Sequence, residues 1–119
     1  MKLENKHIIP YLNHNLKILA NDLVCEVEGI DIFIKNTVIA ERINYSYAEI
    51  KLVLHPFKHY STVEGITDEM TTWQIEMIED NPNVTELMSY EVVNLMFKHH
   101  IDYFGLIPAG LAINKNNIK

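Results

Sequence analysis

Apolar and polar residues alternate with a period of two through most of the first half of the chain. Leu16-Lys17-Ile18-Leu19 opens the pattern after a turn around Pro10-Tyr11-Leu12. Asn21-Asp22 is a turn signal, and Leu23, Cys25 and Val27 then alternate with Val24, Glu26 and Glu28. Gly29 punctuates, and Ile30-Asp31-Ile32-Phe33-Ile34 continues the alternation. Lys35-Asn36 marks another turn before Thr37-Val38-Ile39-Ala40. From Tyr45 to Leu54 the chain reads as a further strand or a connection, with Ile50, Leu52 and Leu54 in alternation, until His55-Pro56 interrupts. Pro56 to Tyr60 suits one helical turn, since proline fits a first helical position.

The second half carries helical spacing. Thr67 to Asp80 leans to helix, with Thr67 or Asp68 as cap and Asn81-Pro82-Asn83 as stop, although its apolar residues fit a strand as well. The clearest helix is Ser89 to Asp102. Ser89 is a good N-cap, Glu91 lies in the first turn, and Val93, Met96, Phe97, His100 and Ile101 form one stripe. Gly105, Pro108 and Gly110 break any continuation, and Leu111-Ala112-Ile113 is short enough to add an edge strand. The expected fold is α+β: a short antiparallel β-meander or small barrel-like sheet in the N-terminal half, packed with one or two helices in the C-terminal half. Residues 1–119 are expected to form a single compact domain, with residues 115–119 frayed.

Composition narrows the function classes. Apolar residues make up 48% and charged residues 22% of the 119 positions, as in globular domains. No apolar run approaches the roughly 20 residues that span a bilayer. The N-terminus lacks a secretory pattern and the single cysteine, Cys25, has no intramolecular partner, so a cytoplasmic location without a membrane is expected. Ten basic and sixteen acidic residues give a net charge of −6. The only arginine is Arg42 and the lysines are scattered, which disfavours direct binding of duplex nucleic acid. Glu64, Asp68, Glu69, Glu76, Glu79, Asp80, Glu86 and Glu91 lie between Lys58 and Lys98 with no basic residue among them. Such a run is either a solvating face or a surface for a basic partner, with Glu76, Glu79, Asp80 and Glu86 as the contact candidates.

Six histidines raise the question of metal: His7, His14, His55, His59, His99 and His100. His55 and His59 have i, i+4 spacing, but the glutamate of a zinc-protease helix is missing and Pro56 opposes a regular helix there. No metal and no cofactor is expected. His99 and His100 are adjacent and point about 100° apart on a helix, so they would not serve one site; His100 reads as a hydrogen-bonded core histidine, and Asp102 as a partner for the turn after the helix. Cys25 shares a strand face with Leu23 and Val27 and reads as a small buried hydrophobe. No serine has nucleophile-elbow glycines and no Gly-rich phosphate loop is present, so no catalytic residue is assigned. Tyr45 and Tyr47 share a face if their segment is extended; with Tyr60 they would form an aromatic contact surface or a stacking platform for single-stranded nucleic acid.

Three stretches carry a resemblance. Pro10-Tyr11-Leu12 followed by Leu16-Lys17, then Ile50 to Phe57, and most strongly Tyr90 to Asn114 with its run His99-His100-Ile101-Asp102-Tyr103-Phe104-Gly105-Leu106-Ile107-Pro108-Ala109-Gly110-Leu111-Ala112-Ile113-Asn114, are similar to a family of small uncharacterised phage and prophage proteins of Bacteroidetes-type bacteria. His55 and His59 depart from it, standing where the family commonly has Arg and Asp. The resemblance implies a compact protein from a mobile element and carries over no activity. With the acidic charge, it leads to the expectation of a non-enzymatic interaction protein. Its most concrete form is an anti-CRISPR-like inhibitor of a bacterial immune nuclease, with a host or phage protein, such as a ribonucleoprotein nuclease, as partner. The alternatives are a phage replication or recombination accessory that binds a protein or single-stranded nucleic acid, and a small metal-dependent enzyme. The apolar C-terminal segment also offers a homodimer contact.

Overall fold

The structure is a computed structural model that describes residues 2–31, 33–57, 60, 63, 65–71, 73–75 and 90–117. It is α+β. Six strands form one sheet: β1 (Lys17–Ala20), β2 (Leu23–Ile30), β3 (Thr37–Ala40), β4 (Ile43–Ser46), β5 (Ile50–Leu54) and β6 (Ala112–Asn114). Their spatial order is β4-β3-β2-β1-β5-β6. All pairings are antiparallel except β5 with β6. Among the described residues β4 and β6 are the two edges of the sheet, and no pairing joins them.

The hairpins follow from local chemistry. Asn21 (φ 51°) and Asp22 (φ 64°) form the two-residue turn between β1 and β2, and Ala20 pairs with Leu23 across it. Two positive φ values in succession give the turn whose twist matches the strands, and Asn and Asp tolerate that region. Glu41 (φ 52°) and Arg42 (φ 64°) do the same between β3 and β4 without the residues that favour it. β2 runs through Gly29 with a register shift between Val27 and Gly29, a bulge that re-aims the strand. The expected strand over Ile30 to Ile34 is corrected here. β2 ends at Ile30, and the Asp31 Oδ1 accepts the N–H groups of Phe33 (2.8 Å) and Ile34 (3.2 Å), bending the chain back toward β3.

One face of the sheet is the core. Ile18, Ala20, Cys25, Val27, Val38, Ala40, Leu52 and Leu54 are buried there in one cluster with Ile8, Tyr11, Phe97 and Leu106. Ile8 and Tyr11 come from α1 (Asn5–Leu12), a helix where the sequence suggests only a turn. Pro10 sits inside it. Its start is held by Glu4 and His7: Glu4 N–H donates to His7 Nδ1 at 3.0 Å, and His7 N–H donates to the Glu4 carbonyl at 3.0 Å.

A second cluster gathers Tyr60, Ile66, Met70, Val92, Met96 and Ile101. Its main wall is α2 (Tyr90–Lys98), whose buried residues are Val92, Met96 and Phe97. This helix stops at Lys98, four residues earlier than the sequence suggests. His100 takes φ 57°, His100 N–H donates to the Phe97 carbonyl (3.1 Å) and Ile101 N–H to the Met96 carbonyl (2.8 Å). That is a left-handed helix stop with its usual apolar contact, here Ile101 on Met96. The chain then joins the sheet. His55 N–H donates to the His100 carbonyl (2.7 Å) and Asp102 N–H to the His55 carbonyl (2.9 Å). After a loop, β6 lies against the other side of β5, and Lys115–Asn117 form one 3₁₀ turn where fraying is expected.

Candidate interaction surface

The aromatic candidates are largely core. Tyr45 lies in β4 and is partly buried against the sheet cluster. Tyr47 belongs to the 3₁₀ turn Tyr47–Glu49, is 5% exposed, and donates its hydroxyl to Asn5 Oδ1 at 2.5 Å. Tyr60 is buried in the second cluster. The three side chains thus lie in two separate clusters, and Tyr47 and Tyr60 present no ring face for stacking. The alternation that suggests a shared face ends at Ser46, where the chain coils into the 3₁₀ turn.

Glu76, Glu79, Asp80 and Glu86 lie outside the described residues, as do Lys58, His59, Glu64 and Ser89. The residues flanking the acidic stretch are informative. Thr71 and Gln74 cap a helix start reciprocally: Thr71 N–H donates to Gln74 Oε1 (2.9 Å) and Gln74 N–H to Thr71 Oγ1 (3.2 Å). Residues 73–75 are helical, as the sequence suggests, although the cap is Thr71 rather than Thr67 or Asp68. Met70 is buried while Trp73, on the same expected stripe, is 65% exposed. Tyr90, the first residue of α2, is 80% exposed. Large aromatic rings therefore face solvent at both sequence ends of a stretch holding Glu76, Glu79, Asp80 and Glu86 and no lysine or arginine. Just before it, Glu69 binds Lys98 Nζ at 2.8 Å and lies 3.6 Å from His99 Nε2; the hydrogen bond to Lys98 holds the Glu69 carboxyl below its ordinary range.

The histidines are spread through structural contacts. His7 caps α1 and meets Phe104 edge-on at 5.2 Å. His100 Nε2 binds the His14 carbonyl oxygen, as its reading as a hydrogen-bonded histidine expects, but the side chain is half-buried rather than core and stands at a left-handed backbone position instead of on a helical stripe. Burial, then Lys115, His100 and His99, lower the basicity of His55. Burial also lowers His7 and His100. Among the described residues no three His, Cys, Asp or Glu side chains gather as a metal site requires. Cys25 is buried, and burial pushes its thiol pKa up, away from thiolate chemistry. Asp102 is 3% exposed and accepts the N–H groups of Leu106 (2.7 Å) and Ile107 (2.8 Å), which is the turn-holding role its position suggests.

Phe33 is one surface feature the sequence does not single out. It is 90% exposed, with Ile34 beside it at 53%, on the turn that Asp31 closes. Strand alternation assigns both to a sheet, where one would be buried; only the Asx turn puts both in water. Among the described residues no helix is long and apolar enough to cross a membrane. No protein-family model matches this chain, and no curated protein or solved structure matches it.

Proposed function

We propose that this is a non-enzymatic interaction protein whose acidic stretch, with Glu76, Glu79, Asp80 and Glu86, docks on a basic surface of a larger protein. The observation that carries the reading is the pair of solvent-facing aromatics, Trp73 and Tyr90, on either side of that stretch. Tryptophan and tyrosine supply most of the energy at interfaces when they fill pockets, while charge complementarity speeds encounter and fixes orientation. The resemblance to phage proteins supplies the partner class: a host immune nuclease that presents a nucleic-acid groove, with the protein as its inhibitor. A replication or recombination protein of the phage is the second partner class.

The test is inhibition of guide-directed cleavage by candidate nucleases. Trp73→Ala with Tyr90→Ala is expected to weaken inhibition at least tenfold, and Glu76→Lys, Glu79→Lys and Asp80→Lys together to do so in a salt-dependent way. Full inhibition by folded variants of both kinds counts against the reading. Binding to a replication protein in place of a nuclease moves it to the second class.

A further inference from the structure

Three of the ten basic residues, Lys2, Lys35 and Lys51, line a single cavity of about 460 Å³. They come from the N-terminal segment, the β2–β3 loop and β5, so only the fold brings them together. Leu3, Ile50 and Leu111 supply apolar wall, and among the described residues no aspartate or glutamate lines it. None of the three lysines forms an ion pair with a described residue. Glu49, the acid of the adjoining 3₁₀ turn, is turned to its own backbone: its Oε2 accepts the Ser46 N–H at 3.0 Å. Two left-handed backbone positions shape the rim, Asn36 (φ 56°) and Gly110 (φ 80°). The Asn36 carbonyl accepts the Tyr47 N–H at 2.8 Å, which ties the lysine-bearing loop to the 3₁₀ turn that also lines the cavity.

In a protein of net charge −6, a concavity lined by three lysines and, among the described residues, by no carboxylate is a local reversal of sign. Its volume falls within the range of small-molecule sites, roughly 300–1,000 Å³. Lysines act as point charges toward phosphate and hold it without demanding one fixed geometry. We propose that this cavity binds a small organic phosphate of nucleotide size, with the phosphates between Lys2, Lys35 and Lys51 and the apolar part on Leu3, Ile50 and Leu111.

The experiment is an NMR titration of the full chain, carrying a cleavable C-terminal tag, with ADP, inorganic pyrophosphate and citrate. Expected are saturable shifts with ADP at Lys35, Ile50, Lys51 and Leu111, tighter binding of ADP than of pyrophosphate, and weakening as salt is raised. Lys2→Met, Lys35→Met and Lys51→Met together lower ADP affinity at least tenfold, whereas Lys115→Met leaves it unchanged. These lysines are exposed, so the fold is expected to survive, and single Lys→Gln variants give graded losses if the triple variant is poorly behaved. Absence of saturable shifts with all three probes at millimolar concentration overturns the proposal. Binding that persists in the folded triple variant, or pyrophosphate or citrate binding as tightly as ADP, overturns it as well.

Discussion

Replacing Asp102 by Asn tests the most demanding contact in the fold. The carboxylate is 3% exposed and accepts two backbone N–H groups, from Leu106 at 2.7 Å and Ile107 at 2.8 Å. Hydrogen bonds to a charged acceptor contribute about 1.5–3 kcal/mol each, and a buried donor left without an acceptor costs about 1–3 kcal/mol. Asparagine keeps one acceptor oxygen but turns an amide NH₂ toward the other N–H. The expected loss is therefore about 2–3 kcal/mol for Asp102→Asn, and about 3–5 kcal/mol for Asp102→Ala, which leaves both donors unmet. The loop has a structural task downstream: the Leu106 carbonyl accepts the N–H groups of Leu111 (2.9 Å) and Ala112 (3.2 Å), which sets the start of β6. Urea denaturation measures the loss. Amide exchange should quicken first at Leu106, Ile107 and Ala112, ahead of the β1–β2 ladder. Stability of Asp102→Asn within about 0.5 kcal/mol of the parent, a change typical of inert surface sites, refutes the argument.

Acid should destabilise the protein. His7, His55 and His100 are all held below the ordinary imidazole value, chiefly by burial, so the unfolded chain takes up protons first; stability is complete above about pH 6.5 and falls as pH drops through and below that value. For His7 the reason is visible, because protonating Nδ1 would set it against the Glu4 N–H it now accepts; a melting temperature flat between about pH 7.5 and pH 5 contradicts this. Glu41→Asn with Arg42→Gly should stabilise by about 1 kcal/mol or more, because both positions lie in the left-handed region that Glu and Arg disfavour; a loss of stability on thermal denaturation would count against the assigned turn. Tyr11→Phe should cost only about 1 kcal/mol despite complete burial: its hydroxyl donates to the Ile101 carbonyl at 2.5 Å, but that carbonyl also accepts the Tyr103 N–H at 2.8 Å and stays satisfied. Chemical denaturation reads this difference, and a loss several times larger means the hydroxyl does more than the bond assigned to it.

Period-two alternation was legible because one sheet face is buried. Leu16, Ile18, Cys25, Val27, Val38, Leu52 and Leu54 all point inward as their spacing requires. Asn21-Asp22 was legible as a turn because its chemistry is local. Glu41-Arg42 was not, since strand pairing on both sides imposes a conformation these residues do not choose. α1 was hidden by Pro10 and by its length of eight residues, too short to stand without packing. Ile8 and Tyr11 earn their place through the core. The early end of α2 reflects tertiary override: His55 captures the backbone at His100 and Asp102, and the helix yields to the sheet. The same limit governs the sites. The acidic stretch is contiguous and visible in the sequence. Trp73 looks like core, and its exposure depends on how the capped helix start sits. Lys2, Lys35 and Lys51 look scattered and meet only after folding.

The most direct test of the interaction account is affinity capture from a host lysate, run in parallel with the parent protein and a folded Trp73→Ala, Tyr90→Ala variant, each with and without RNase. The account predicts that the parent retains one defence nuclease, that the variant loses it, and that RNase reports whether the guide RNA is part of the docking surface. Identical proteins retained by both forms, or no specific protein retained by the parent, would contradict it.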